Sequence, residues 1–550
     1  MTQSVQPAIW IGQGRLTAGL DRFPRLDLIT HRSIFGPAPV AGAAQLVSLC
    51  DQVDLRGRGG AAFASARKIR AVVAACQRTG RRPVVVVNGT EGEPGSAKDK
   101  MLLTRSPHLV LDGALLAARA LHATEVIVAV AGDGPHVESV IDAVDSDRSI
   151  SRITRVVSLP DRFVSGESGA LVNGINGNPA LPPGIKTRAS DAGVGGAPTL
   201  LSNAETFAQL AILGMLGAAG YSSTGDPDEP GTVLLTVGGD VQRPAVVETP
   251  TGVPLGHILD ICGAQQPAGV LVGGYHGMWL SPEAAYDVPV SRSGMSAGGG
   301  TLGAGIVLVL GQDTCPLGEV ARVAGYMAMQ SSGQCGPCKL GLPAVARSLA
   351  AVAAGAGGVD ELEAVRRAAA GVRGRGACAH PDGTANFVAS ALDVFGADLS
   401  EHLFRGSCGK RTTGVLPVDH APGDAKLSVD WTRCQGHGLC GHLVPELIQL
   451  DEHGYPAFLE VNVPFWLTKV VRQAVDSCPA LALTMTTLSG RSAAPALPAP
   501  ERRSPPVITT SIPVRPAIGP PTRRAIEAPA RRPADFSVTS AWIAELGGGR

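Results

Sequence analysis

Two groups of cysteines have the spacing of iron ligands. In the first, Ser332-Gly333-Gln334-Cys335-Gly336-Pro337-Cys338 sets two thiols at C-x-x-C spacing on a tight turn before a helix-like run, and Cys378 follows in the same region. Thiolates so placed converge on the irons of one cluster, and a helix N-terminus stabilises their charge. Ser332 stands where a further cysteine would complete a C-x-x-C-x-x-C run. The set is therefore either finished by a serine alkoxide or short of a ligand, and a relic without metal is the rival reading. In the second group, Cys434-Gln435-Gly436-His437-Gly438-Leu439-Cys440 is followed at a distance by Cys478-Pro479. Three thiolates with a proline after the last suit a small iron–sulfur cluster. His437 occupies the usual place of a fourth thiolate, which leaves two states open: a [3Fe–4S] cluster with His437 free, or a [4Fe–4S] cluster that it ligates. Zinc is the competing metal there. The remaining thiols, Cys50, Cys76, Cys262, Cys315 and Cys408, stand apart and read as ordinary buried or loop cysteines.

A third stretch could hold an anion. Arg56-Gly57-Arg58-Gly59-Gly60-Ala61-Ala62-Phe63 is a loop of bare backbone N–H groups ahead of a helix-like run that carries Lys68. A helix N-terminus behind such a loop favours a phosphate, and Lys68 adds a point charge. Close behind, Val84-Val85-Val86-Val87-Asn88 is a buried strand by composition, and it ends in Gly89-Thr90-Glu91-Gly92-Glu93-Pro94-Gly95. A phosphate cradle beside an acidic loop at strand ends suits a nucleotide-like cofactor in an α/β crevice.

The elements that must position these groups follow from periodicity. Residues 1–50 read as an irregular arm with a little helix. Over 51–230, strand-like runs (83–88, 125–130, 153–159) alternate with helix-like ones (61–75, 107–123, 136–144), which predicts a parallel sheet covered by helices. A Gly/Pro-rich loop at 173–198 is long enough to be a binding loop. Residues 231–290 form a compact β-rich module, with a hairpin over 231–249, a short helix at 258–262 and a strand at 269–274. Helical periodicity takes over across 291–405 (317–329, 340–354, 359–370, 386–395) and predicts a bundle around the first cysteine group. Residues 424–490 form a small unit around the second. The Pro- and Arg-rich stretch 491–550 lacks periodicity and reads as disordered, with a short docking helix conceivable at 536–546.

Composition bounds the rest. The 550 residues carry 47 basic and 47 acidic side chains, so no global charge points to nucleic acid or an anionic membrane. The N-terminus lacks a basic region followed by an apolar core, and the longest apolar stretch, at 210–220, is about half a membrane span. The expectation is a soluble, cytoplasmic protein, with the membrane reached only through a partner.

In combination, these motifs resemble the NADH-oxidising flavoprotein subunit (51 kDa type) of respiratory complex I and the related diaphorase subunits of soluble hydrogenases and formate dehydrogenases. The resemblance covers about residues 50–405. It makes Gly57, Arg58, Gly59, Gly60 and Lys68 an FMN-phosphate site, and Asn88 and Glu91 contacts to the ribityl chain or ring edge. Gly166-Glu167 is similar to a further flavin segment, and Ser202-Asn203 to another. Glu93 and Phe63 would meet the nicotinamide as catalytic residues. Residues 231–290 resemble a β-grasp (SLBB-like) insertion, and Cys335, Cys338 and Cys378 match three of four [4Fe–4S] ligands. The C-terminal unit is similar to single-cluster ferredoxins that serve cytochromes P450. The chain departs from the pattern at Thr90, Ser168, Ser202 and Ser332, where aspartate, glutamate, asparagine and cysteine are expected. Two stacking aromatics and a lysine of the dinucleotide site are also missing after Lys68 and around Leu181-Pro182-Pro183-Gly184.

The fold class implied is multidomain α/β plus α+β. The function implied is flavin- and iron–sulfur-dependent electron transfer of the NADH dehydrogenase (diaphorase) type, from NADH or NADPH through FMN to clusters and on to a redox protein (ferredoxin, P450 or membrane reductase). The alternatives are an electron relay or docking subunit with a degenerate NADH site, and a scaffold without flavin.

Overall fold

The computed structural model describes residues 7–184, 187–418, 425–445, 447–458, 460–463 and 468–487. The tail expected over 491–550, and the docking helix within it, lie outside these residues.

Four strands form a wholly parallel sheet in the order Thr154–Leu159, Glu125–Ala131, Val84–Gly89, Thr199–Asn203. Val84 to Val87 and Val126 to Val130 are buried on both faces, which is why these runs are continuously apolar rather than alternating. Helices Pro107–Ala120 and Ala204–Tyr221 pack together over one face. They meet backbone to backbone: a Cβ on Gly113 would stand 1.8 Å from Phe207 O. The apolar run at 210–220 belongs to the second of these helices, and no described helix is long and apolar enough to cross a membrane.

Two local expectations change here. The helix after the glycine loop begins at Ser65 rather than 61, because Gly60 (φ 100°) and Ala62 (φ 47°) hold the chain in left-handed conformations that a helix cannot include. Strand Thr199–Asn203, which follows the long Gly/Pro-rich loop, was not anticipated. It pairs with Val84–Gly89 so that Asn88 and Asn203 lie in register at adjacent carboxyl ends. The strand order reverses direction here, which is where open α/β sheets bind ligands.

A second sheet has six strands in the order Ala8–Trp10, Ala245–Pro250, Thr232–Gly239, Ile306–Gly311, Pro267–Val272, Met278–Leu280. The hairpin of Thr232–Gly239 and Ala245–Pro250 is antiparallel, while Ile306–Gly311 runs parallel to Thr232–Gly239. Helix Leu255–Cys262 fills one face through Leu255, Ile258 and Leu259. The β-rich module therefore does not close at 290. It takes an inner strand from the segment expected to be wholly helical, and an edge strand from the arm expected to be irregular. The arm also forms helices Leu28–Phe35 and Ala43–Gln52. Its attachment is specific: the buried Glu248 carboxylate accepts from the backbone N–H groups of Arg15, Leu16 and Thr17 at 2.9–3.1 Å.

Helices Pro316–Met329, Leu342–Ala353, Gly358–Val372, His380–Val394 and Gly396–Arg405 pack around Val323, Met327, Val345, Val365 and Phe387. The C-terminal unit is an antiparallel sheet with Ala425–Val429 between Glu460–Val463 and Leu483–Thr487. Leu427, Val444, Ile448 and Val471 form its core.

Candidate functional site

The glycine loop closes on itself through Gly57 N–H to Phe63 O (3.0 Å) and is tied to helix Ala204–Tyr221 by Arg58 N–H to Thr206 Oγ1 (2.9 Å). Gly59 lies flat against Asn203, where a Cβ would come within 3.1 Å of the Asn203 side chain. Gly57, Arg58, Gly60 and Ala62 line a cavity of about 230 Å³ whose far wall is the second glycine-rich segment, 300–305. Five of its lining residues are glycines (Gly57, Gly60, Gly300, Gly303 and Gly305), which lets a flat or phosphate-bearing ligand approach the backbone closely.

Beneath the loop lies a buried ionic network that sequence reading missed. Lys98 Nζ bonds Asp99 Oδ1 (2.9 Å), Glu205 Oε2 (3.1 Å) and Asn203 Oδ1 (3.1 Å). Burial alone would lower the Lys98 pKa, but Asp99, Glu205 and Glu91 outweigh it and push it up. Glu205 Oε1 also accepts from Leu234 N–H (3.1 Å), joining the two sheets. Arg58 is buried over this network, and its Nε lies 4.0 Å from Glu205 Oε1 with no hydrogen-bond partner among the described residues. The only sequence signal was charge in an otherwise buried setting, and charge alone does not reveal burial.

The other predicted residues divide into those that face the crevice and those occupied elsewhere. Phe63 is 44% exposed, with Arg67 and Lys68 at 5.6 and 5.9 Å from its ring centre. Lys68 Nζ donates to Leu201 O (2.8 Å), and burial brings its pKa down to about 8. Ser202 lines the same small hollow as Lys68. Asn88 bridges two segments, accepting from Thr90 N–H (3.1 Å) and donating to Gly166 O (2.9 Å). The buried Glu91 carboxylate caps helix Lys98–Arg105, accepting from Asp99 N–H (3.1 Å) and Lys100 N–H (2.8 Å). Glu167 likewise caps helix Ser168–Ile175 through Gly169 and Ala170 N–H at 2.8 and 2.9 Å. Glu167 immediately precedes its helix and Glu91 reaches its helix from the loop before it, each satisfying orphan N–H groups of the first turn.

Glu93 links the crevice to the bundle. Its Oε1 accepts from Tyr275 N–H (2.6 Å), and burial, helped by Glu91, pushes its pKa up to about 8. The next residue, His276, bonds through Nε2 to His380 Nδ1 (3.1 Å), and His380 Nε2 donates to Met327 O (2.8 Å). Burial lowers both imidazoles, to about 3 and about 4, so they are neutral. Phe163 packs edge-on against both rings. This packed relay, also unforeseen, ends two residues from Cys378.

Cys335, Cys338, Cys378 and Ser332 do come together. Burial, with Cys335 and Cys378 alongside, raises the Cys338 thiol to about 12, and the Ser332 hydroxyl bonds to it. At Cys335 backbone hydrogen bonds from Ala377 and Cys338 overcome burial and hold the thiol below its usual value. In the C-terminal unit Cys434, His437, Cys440 and Cys478 line one small cavity with Gly438, Pro456 and Pro479. Burial raises Cys440, and Cys434 and Cys478 add to it, so these thiols crowd one another. Ala482 N–H points at Cys478 Sγ (3.4 Å).

Comparison with known proteins follows the same order along the chain. Residues 50–212 match the Nuo51 FMN-binding domain, 319–402 the NADH-ubiquinone oxidoreductase-F iron-sulfur binding region, and 427–485 a 4Fe-4S single cluster domain. Among curated proteins, an F-type NADH-quinone oxidoreductase protein of Rhizobium meliloti (strain 1021) is 27% identical over 66% of this chain and 90% of its own length. The mitochondrial NADH dehydrogenase [ubiquinone] flavoprotein 1 of Dictyostelium discoideum is 26% identical over 65% of this chain and 78% of its own. A solved structure of NAD+-reducing [NiFe]-hydrogenase in the air-oxidised state superposes with a TM-score of 0.62 at 28% identity, covering 71% of this chain and 67% of the other.

Proposed function

We propose that this chain, a homologue of NADH-quinone oxidoreductase flavoproteins that also carries a single-cluster ferredoxin domain, is an oxidoreductase that takes electrons from a nicotinamide dinucleotide and delivers them singly to iron. The observation that carries the reading is continuity. The loop that follows strand Val84–Gly89 reaches the bundle through Glu93 and Tyr275 N–H, and the next residue, His276, meets His380, which stands two residues from Cys378 in sequence.

The crevice residues fit FMN. A backbone cradle that a Cβ on Gly59 would crowd, and a buried Arg58 Nε with no hydrogen-bond partner among the described residues, both suit an anionic phosphate. Gly57, Gly59 and Gly60 would hold the phosphate with Lys68, whose lowered pKa leaves it readily charged by an anion. Asn88, Asn203 and Ser202 would orient the ring system, and Gly166 supplies close backbone approach beside Thr90. When bound, FMN supplies the exchange between a two-electron hydride and single electrons. Phe63 presents a partly exposed aromatic ring for the nicotinamide, and Glu93 stands ready to hold or release a proton near neutral pH. Tyr275, Phe163 and the neutral imidazoles exclude water between the crevice and the cysteines.

Cys335, Cys338 and Cys378 would hold a [4Fe–4S] cluster with Ser332 at the fourth iron. Cys434, Cys440 and Cys478 would hold the second cluster, with His437 either free of a [3Fe–4S] or ligating a [4Fe–4S]. The second sheet, with a hairpin whose first strand runs parallel to the inner Ile306–Gly311, supports reading this module as a β-grasp around helix Leu255–Cys262. The acceptor is a redox protein in a multisubunit assembly, and any membrane association runs through that partner.

A relay that does not oxidise dinucleotide is favoured by one observation: the stacking aromatics and the lysine of the dinucleotide site are missing after Lys68 and around Leu181-Pro182-Pro183-Gly184. Steady-state turnover of flavin-replete protein with NADH or NADPH and an artificial acceptor decides between them. Turnover at micromolar dinucleotide supports the oxidoreductase. Its absence, with flavin and iron present, leaves the relay.

A further inference from the structure

Three residues that belong to neither cysteine group converge: Cys315, His402 and Cys408, whose ligand atoms all lie within 4.8 Å of one another. Each comes from a different element. Cys315 is the residue before helix Pro316–Met329, His402 lies in the last turn of Gly396–Arg405, and Cys408 follows the left-handed Gly406 that ends that helix. Cys315 Sγ and His402 Nε2 are 3.3 Å apart, and both side chains are buried. Gly318 N–H also points at Cys315 Sγ (3.3 Å), so the helix N-terminus stabilises negative charge on that sulfur. His402 Nδ1 has no hydrogen-bond partner among the described residues, and its Nε2 is the ring nitrogen that faces Cys315 Sγ.

We propose that Cys315, His402 and Cys408 bind a zinc ion that fastens the end of the helical region. Two thiolates and a neutral imidazole are a soft donor set suited to a tetrahedral zinc, with water at the fourth corner. Binding releases the two thiol protons and transfers no electrons. The site is separate from the iron ligands: the 14 residues of helix Pro316–Met329, at 1.5 Å each, put roughly 21 Å between Cys315 and the turn that leads to Cys335.

What the ion would fasten is visible around it. Cys315 N–H donates to Arg411 O (2.9 Å), Thr314 Oγ1 meets Thr413 Oγ1 (3.0 Å), and Glu319 accepts from Gly414 N–H (2.6 Å) and Leu416 N–H (3.2 Å). These contacts hold 411–416 against the start of the helix, on the segment by which the chain continues toward the ferredoxin unit. The ion adds a cross-link between that segment, Gly396–Arg405 and Pro316–Met329.

The test is elemental analysis of the full-length protein purified anaerobically from zinc-supplemented cells, with zinc K-edge absorption. About one zinc per chain in addition to iron is expected, with two sulfur and one nitrogen neighbours. Cys315→Ser and Cys408→Ser should lose the zinc and keep the iron, whereas Cys335→Ser should keep the zinc. Should the first variants fail to fold, the wild-type chain still decides: zinc should protect Cys408 from alkylation, and chelation should expose it. Absence of zinc, zinc that persists without Cys315 and Cys408, unprotected Cys408, or a Cys315–Cys408 disulfide in the isolated protein each overturns the proposal.

Discussion

Glu93 is the residue whose environment makes the sharpest demand. Its carboxyl titrates at about 8 in the folded chain against 4.5 ordinarily, so between those values the unfolded chain has lost a proton that the folded chain keeps. Stability therefore falls as pH rises from 4.5 to 8 and levels off above it. Glu93→Gln should flatten that limb in urea titrations across the window, and an unchanged slope would contradict the buried environment. Ser332 makes the second demand. If its oxygen completes the first iron set, Ser332→Ala should reduce iron at that site while Ser332→Cys restores it, read as iron per chain and as the cluster's EPR signal; equal iron in all three variants would remove Ser332 from the ligand set. The cysteine groups were legible because each opens on a short run, C-x-x-C or C-x-x-H-x-x-C, that marks a ligand set. The capping by Glu91 and Glu167 was not, because an acid ahead of a helix looks the same whether it caps or faces a ligand. Cys315, His402 and Cys408 were invisible, since only tertiary packing brings distant, unpatterned positions together.

At the scale of elements, the runs with unbroken patterns read correctly. The valine-rich strands and the helices at 107–120, 316–329 and 358–372 follow directly from continuous or 3.6-residue apolar periodicity. The failures are Ile306–Gly311 and Thr199–Asn203, short apolar runs inside a helical or loop setting, whose strand identity comes from partners distant in sequence. Ala8–Trp10 is three residues long and carries no pattern at all. Close approach of elements gives a direct prediction. Gly113→Ala drives a methyl into Phe207 O between Pro107–Ala120 and Ala204–Tyr221, and should cost about 1–3 kcal/mol, measured by chemical denaturation. Because Ala204–Tyr221 carries Glu205 and Thr206 beneath the glycine loop, the same change should also weaken flavin retention. An unchanged midpoint would show that the helices separate more easily than their packing indicates.

For the whole molecule, the order of units sets the direction of flow: a crevice at the strand ends, a packed imidazole relay, a helical iron site and an appended ferredoxin. Removing the terminal cluster with Cys478→Ser should leave turnover with a small artificial acceptor within about twofold of the parent, a factor worth less than about 1 kcal/mol of barrier, while reduction of a protein acceptor is lost. A parallel loss of both activities would mean that the C-terminal cluster is needed for the flavin site itself. The central claim is that flavin and iron form one conducting chain, and anaerobic titration with NADH, followed optically and by EPR, tests it most directly. The account predicts bleaching of the flavin band together with new signals from reduced clusters, including one that disappears in Cys378→Ser. Flavin that bleaches while the iron of the intact protein stays EPR-unchanged, or flavin-replete protein that NADH does not bleach, would contradict it.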